Sequence, residues 1–163
     1  MSWSEQLRML ADVALAMVLG SVIGLERELA RKAAGLRTHM LVSGAAAMLV
    51  ESSRGLLHQF VGPGAPPLVR FDPVPVITAV VMAVGFLGAG TIIRQQATEH
   101  VEGLTTAASM LFAATVGAAA SLRQYALAAG ATLLALATLH AVGAAERKLK
   151  ARRRGTNPSA PPS

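Results

Sequence analysis

The sequence predicts an all-α integral membrane protein, a compact bundle of about five transmembrane helices. Three observations point there. The stretch from Val74 to Ile93 holds 20 residues with no ionisable side chain, and a helix of that length rises about 30 Å, enough to cross bilayer hydrocarbon. Of 163 residues, 53% are hydrophobic and only 15% charged, whereas a soluble domain carries about a quarter charged residues. Further apolar runs follow one another with short connections, and five spans account for most of the chain.

Met1 to Gln6 is polar, with Trp3 where an interfacial aromatic would sit. It lacks a basic leader and the run after it carries Asp12, so a retained span is expected, not a cleaved signal. The first span covers about Leu7 to Leu25. Asp12, Ala16, Gly20, Gly24 and Glu28 recur every fourth residue, a slowly drifting stripe of small and acidic positions. An acid facing lipid is costly, so this stripe is expected to face other helices. Glu26 to Arg37 reads as an interfacial helix ending near Gly35, a C-cap residue. The second span starts near Thr38 and is free of charge only from Met40 to Val50, short for a crossing. Two readings stay open: a span continuing through Glu51 and Arg54 toward Val61, or a half-span shielded by protein.

Gly62 to Pro75 carries five prolines and two glycines and reads as a loop. The third span is Val74 to Ile93. Its second half, Gly85-Phe-Leu-Gly-Ala-Gly90, is costly in a soluble helix but lets a neighbouring backbone approach in lipid. The fourth span covers about Leu104 to Ser121, where Thr105, Ser109, Ala113, Gly117 and Ser121 repeat every four residues. This ribbon is expected to pack on Gly85, Gly88 and Ala89 across an antiparallel hairpin. Leu122 to Gln124 is a tight connection, and the fifth span runs from about Tyr125 to Ala145. The chain thus divides into a membrane domain, 1–146, and a basic, Pro/Ser-rich tail, 147–163, expected to be disordered.

The net charge of +6 is unevenly placed, since Arg147, Lys148, Lys150, Arg152, Arg153 and Arg154 crowd directly after the last span. The expected partners are the lipid bilayer, with anionic lipids at the basic tail, and no nucleic acid. Basic residues near one set of span ends number 11 against four at the other. That asymmetry places the amino terminus outside and the tail in the cytoplasm.

Four segments together carry a resemblance: Ile23-Gly-Leu-Glu-Arg-Glu28, Ala34-Gly-Leu-Arg-Thr-His39, Gly85-Phe-Leu-Gly-Ala-Gly90 and Gly103-Leu-Thr-Thr-Ala-Ala-Ser109. In this order and spacing they resemble the MgtC/SapB family of bacterial inner-membrane proteins, over about Leu7 to Ala145. The chain looks like a short SapB-type member without the soluble carboxy-terminal domain of the better-studied branch. The resemblance implies five spans, a place in the plasma membrane and no enzymatic activity. For the MgtC branch it implies a role in growth under magnesium limitation and in virulence, through restraint of the proton-driven ATP synthase; an older label is magnesium-transport accessory. Family members carry an Arg and a Gln ahead of the glycine motif, where this chain has Pro75 and Ala79 after Asp72-Pro73.

The candidate functional residues are Asp12, Glu26, Arg27, Glu28, Arg37, Thr38 and His39. Asp12 is either an i, i+4 partner of Arg8 at headgroup level or a bundle-facing acid that takes a proton or cation. Glu26, Arg27 and Glu28 are either interfacial anchors or, with the family match, a network with Arg37, Thr38 and His39. In that network Arg37 makes planar hydrogen bonds to a carboxylate and Thr38 caps the next helix. Gly20, Gly24, Gly85, Gly88, Gly90, Thr105, Thr106, Ser109 and Gly117 are expected to be packing positions. With no cysteine and scattered histidines, no metal site is legible, nor is a nucleophile–base pair, a phosphate loop or a cofactor site. The expected role is regulation of another inner-membrane complex through helix contact or self-association; a small magnesium permease is the alternative.

Overall fold

The computed structural model describes residues 2–60, 74–94 and 101–156. It is almost wholly helical: α1 (Trp3–Leu29), α2 (Leu36–Phe60), α3 (Val74–Thr91), α4 (Leu104–Ser121) and α5 (Tyr125–Thr156). Two-residue strands β1 (Ile93–Arg94) and β2 (Val101–Glu102) pair antiparallel and clip the α3–α4 hairpin at the end where the two helices are connected. Gly103 follows with φ of 94°, a conformation where a Cβ would strike the Thr91 carbonyl oxygen.

Local chemistry accounts for the helix limits. Ser2 caps α1: its hydroxyl accepts from the Glu5 amide, while its own amide donates to the Glu5 carboxylate at 2.7 Å. α1 and α4 both end in paired turns in which an arginine takes the left-handed position. Arg31 (φ 53°) donates to Glu28 and Lys32 to Arg27; Arg123 (φ 60°) donates to Ala120 and Gln124 to Ala119. α1 therefore runs through Leu29, and the expected interfacial helix over Glu26 to Arg37 is replaced by the last turn of α1 and a short connection. Gly35 immediately precedes α2, where its carbonyl accepts from the His39 amide, so it starts a helix and does not end one.

α2 is continuous past Glu51 and Arg54 to Phe60, so the helix itself has the longer of the two extents. Its 25 residues rise about 37 Å. α1, α3, α4 and Tyr125–Ala144 of α5 are long and apolar enough to cross a membrane; α2 has the length but is more polar. α5 continues as helix through the basic run to Thr156 instead of giving way to disorder at 147. Ala, Glu, Lys, Arg and Leu, which fill 144–154, are strong helix formers, and basic residues suit a helix carboxy terminus. The loop expected over Gly62 to Pro75 lies mostly outside the described residues, as does the end of the tail.

α2 packs between α1, α3 and α4; α4 touches every other helix, and α5 lies against α1 and α4. One apolar cluster joins α1, α2, α4 and α5 through Ala16, Ile23, Ala47, Ala113, Val116 and Ala128. A second joins α2, α3 and α4 through Val42, Ala46, Val80, Val84, Met110 and Ala114. Buried positions are small or polar, whereas Met82, Phe86, Leu133 and Leu134 are exposed. That is the arrangement expected when the solvent is lipid, because apolar surface gains nothing by leaving it and close packing must hold the helices together.

The α3–α4 hairpin forms, but the expected face does not make it. Gly88 meets Ala107, 3.1 Å from where its Cβ would stand. Ser109 and Gly117 of the ribbon turn instead to α2, and Thr105 is exposed. Buried His39 of α2 takes the Ser109 hydroxyl, and the Ser43 carbonyl of α2 sits against Gly117, so this side of α4 goes to α2 and α3 meets Ala107.

Candidate functional site

Three helices converge on Ser43 of α2. Its hydroxyl donates to the Ala16 carbonyl of α1 at 2.7 Å, and the side chain is fully buried. Gly20 of α1 makes room for it: an added Cβ would stand 2.5 Å from Ser43 Cβ and 2.6 Å from the His39 carbonyl. Gly117 of α4 approaches the Ser43 carbonyl so closely that a Cβ would collide with it. Gly24 lies one turn on, where a Cβ would come within 2.8 Å of Leu36 Cα. The every-fourth-residue stripe of α1 therefore does face other helices.

His39, one turn before Ser43, is also fully buried. Its Nδ1 lies 2.9 Å from the Gly35 carbonyl oxygen and its Nε2 2.9 Å from Ser109 Oγ on α4. A carbonyl only accepts, so Nδ1 carries a proton. Ser109 Oγ also lies 2.9 Å from the Thr106 carbonyl, and its single hydrogen must serve either that oxygen or the imidazole. Thr106 is buried beside it.

The acidic and basic residues around this end are placed differently from expectation. Glu28 reaches across the turn and accepts from the Leu36 amide at 2.8 Å, so a carboxylate caps the positive end of α2. Thr38, expected in that role, is the third residue inside the helix. Arg27 is buried and pairs with its neighbour Glu26 at 2.5 Å. Arg37 points outward, and among the described residues it meets no carboxylate. The expected network thus reduces to Glu28 of α1 capping α2 and His39 of α2 bonded to Ser109 of α4.

A second polar cluster lies at the other end of the same helices. Asp12 accepts from the Tyr125 hydroxyl at 2.8 Å and lies 3.6 Å from Arg123 Nε. Buried Glu51 faces Arg54 at 3.4 Å, and Arg54 donates to the Ser121 carbonyl at 2.9 Å. Asp12 is therefore a bundle-facing acid with partners in the α4–α5 turn, and not an Arg8 ion pair. Sequence reasoning missed Ser43, Tyr125 and Arg123. Ser43 had a signal, since it sits four residues after His39 amid glycine and alanine; nothing local marks the other two.

Two acids and two arginines from three parts of the chain tie one end of the bundle, while hydroxyls and an imidazole tie the other. No group of three or more His, Asp or Glu among the described residues is arranged to hold a metal ion. Gly85 and Gly90, both expected to be packing positions, have nothing within 4 Å of an added Cβ.

Comparison with known proteins places these features in context. A model of the MgtC family matches residues 13–148. Protein MgtC of Salmonella typhimurium is 36% identical over 121 residues, 74% of this chain and 46% of that protein. Protein SapB of Bacillus subtilis is 35% identical over 121 residues, 73% of this chain and 50% of its own length. The chain thus spans about half the length of the curated relatives it matches. No solved structure matches it.

Proposed function

Because this chain belongs to the MgtC family, we propose that it is a non-enzymatic regulator in the bacterial inner membrane, acting on another complex through contact between helices. The observation that carries this reading is the unequal use of its glycines. Gly20, Gly24 and Gly117 are filled by neighbours within the bundle, whereas Gly85 and Gly90 look out from α3 beside exposed Met82 and Phe86. A face of that kind lets a foreign helix approach closely. The compensated state of Asp12 and Glu51 supports the same reading, since a cation path needs acids free to bind. The family resemblance makes the membrane sector of the proton-driven ATP synthase the expected complex, under magnesium limitation. The count of basic residues supports an amino terminus outside and a cytoplasmic tail.

The test is purification of the intact protein from its own membranes in mild detergent. A membrane complex is expected with wild type and not with Gly85→Leu or Gly90→Leu, while the thermal stability of the bundle is unchanged. Retention of the complex by both variants would sink the reading. A magnesium permease is the second reading, favoured by Asp12 and Glu51 lying within electrostatic reach of each other. It requires magnesium uptake into reconstituted vesicles that Asp12→Asn abolishes.

A further inference from the structure

An open groove of about 680 Å³ lies between the end of α1, the start of α4 and the second half of α5. Its walls are apolar, with Leu25 and Leu29 from α1 facing Leu136, Leu139 and Val142 from α5. The α5 lining falls in the last turns of its apolar segment, which ends at Ala144. The groove therefore opens where hydrocarbon gives way to headgroups. Its charged lining consists of Glu26, Arg27 and Lys32, one carboxylate against two permanent cations.

Arg27 gives the groove its chemistry. Its side chain is only 6% exposed, and its one partner among the described residues is Glu26, which engages Nε. The two terminal nitrogens of the guanidinium have no protein partner among the described residues, and because no buried side-chain nitrogen there goes unpartnered, they are open at the side chain that lines the groove. Open N–H groups on a guanidinium already held by Glu26 can donate to an anion that enters the groove. Its planar fork matches a phosphate better than any other anion of the membrane surface. Lys32, exposed at the mouth, adds a flexible second cation.

We propose that this groove binds one anionic glycerophospholipid, with its phosphodiester on Arg27 and Lys32 and its acyl chains along the leucines of α1 and α5. The site is independent of the outward face of α3. It is also more selective than the general attraction of the basic tail for an anionic surface, because it has walls and a buried donor.

The full chain, reconstituted in vesicles of equal parts phosphatidylglycerol and phosphatidylethanolamine and then extracted, is tested by native mass spectrometry after detergent washing. Wild type is expected to retain one phosphatidylglycerol. Val142→Trp fills the groove from an exposed position, and Lys32→Glu reverses the charge at its mouth; each should cut retention about tenfold. Arg27→Gln should do the same, and if that variant does not fold, the two exposed positions carry the test. Neutralising Arg152, Arg153 and Arg154 together should leave retention intact. The proposal is overturned if both groove variants retain the lipid, if the tail variant loses it, if phosphatidylcholine is retained equally, or if millimolar inorganic phosphate displaces it.

Discussion

Arg31 and Arg123 occupy left-handed backbone positions that a side chain visits at a cost of about 1–2 kcal/mol. Arg123 gains the Asp12 carboxylate in return, but Arg31 is exposed and gains no such partner among the described residues. Arg31→Gly should therefore raise stability by about 0.5–1 kcal/mol after allowing for the freedom glycine adds to the unfolded chain. Thermal unfolding in detergent reads this out, with Arg31→Ala as the unchanged control. Ser109→Ala should act the other way. It strips the fully buried His39 of its partner at Nε2, and an orphaned buried polar group costs about 1–3 kcal/mol. A variant as stable as wild type would mean that the imidazole finds another partner for Nε2. At this scale the sequence marked His39 and Asp12 but not their partners. Ser109 is 70 residues from His39 and Tyr125 is 113 from Asp12, and no spacing rule reaches so far. Arg37 misled because the family motifs group it with Glu26 and Glu28, whereas it stands exposed in the first turn of α2.

Between helices, the glycines divide into those that touch and those that do not. Gly117→Ala drives a methyl into the Ser43 carbonyl of α2, where backbone cannot yield as a side-chain tip can. Overpacking of this kind costs about 1–3 kcal/mol. Gly85→Ala meets open space and should leave the melting temperature where it was. Equal loss in the two variants would show that α3 is covered on both sides. The limits of α4 and the start of α5 were legible because turn residues bound clean apolar runs. Which side of α4 meets which neighbour was not legible. A four-residue repeat drifts about 40° per step, so α4 offers small residues in several directions, and the buried polar groups of α2 decide among them.

For the molecule as a whole, the bundle is turned inside out relative to a soluble protein, with large apolar side chains outside and Ala, Gly, Ser and His within. Length, composition and the absence of charge over Val74 to Ile93 were enough to expect this. The second span resisted because its polar residues lower its apparent hydropathy while facing protein. Reporter fusions after Arg154 are expected to report cytoplasm, and fusions between Gly62 and Pro75 the outside. A cytoplasmic signal from the latter would exclude the proposed orientation.

The polarity of α2 bears on how the protein is made. An insertion machine reads helices one at a time, and a charged residue at a helix centre weighs on the order of 2.5–3.5 kcal/mol against entry. α2, carrying His39, Glu51 and Arg54, enters poorly alone. α1 leaves the ribosome first and already displays the Ala16 carbonyl and the notches at Gly20 and Gly24 into which α2 fits. The two are therefore expected to enter as one hairpin, which glycosylation mapping of α2 with and without α1 would reveal. Ser109 arrives only with α4, so His39 stays half-matched until most of the chain has been synthesised. On this expectation, a helix too polar to enter by its own hydropathy enters by the order of synthesis.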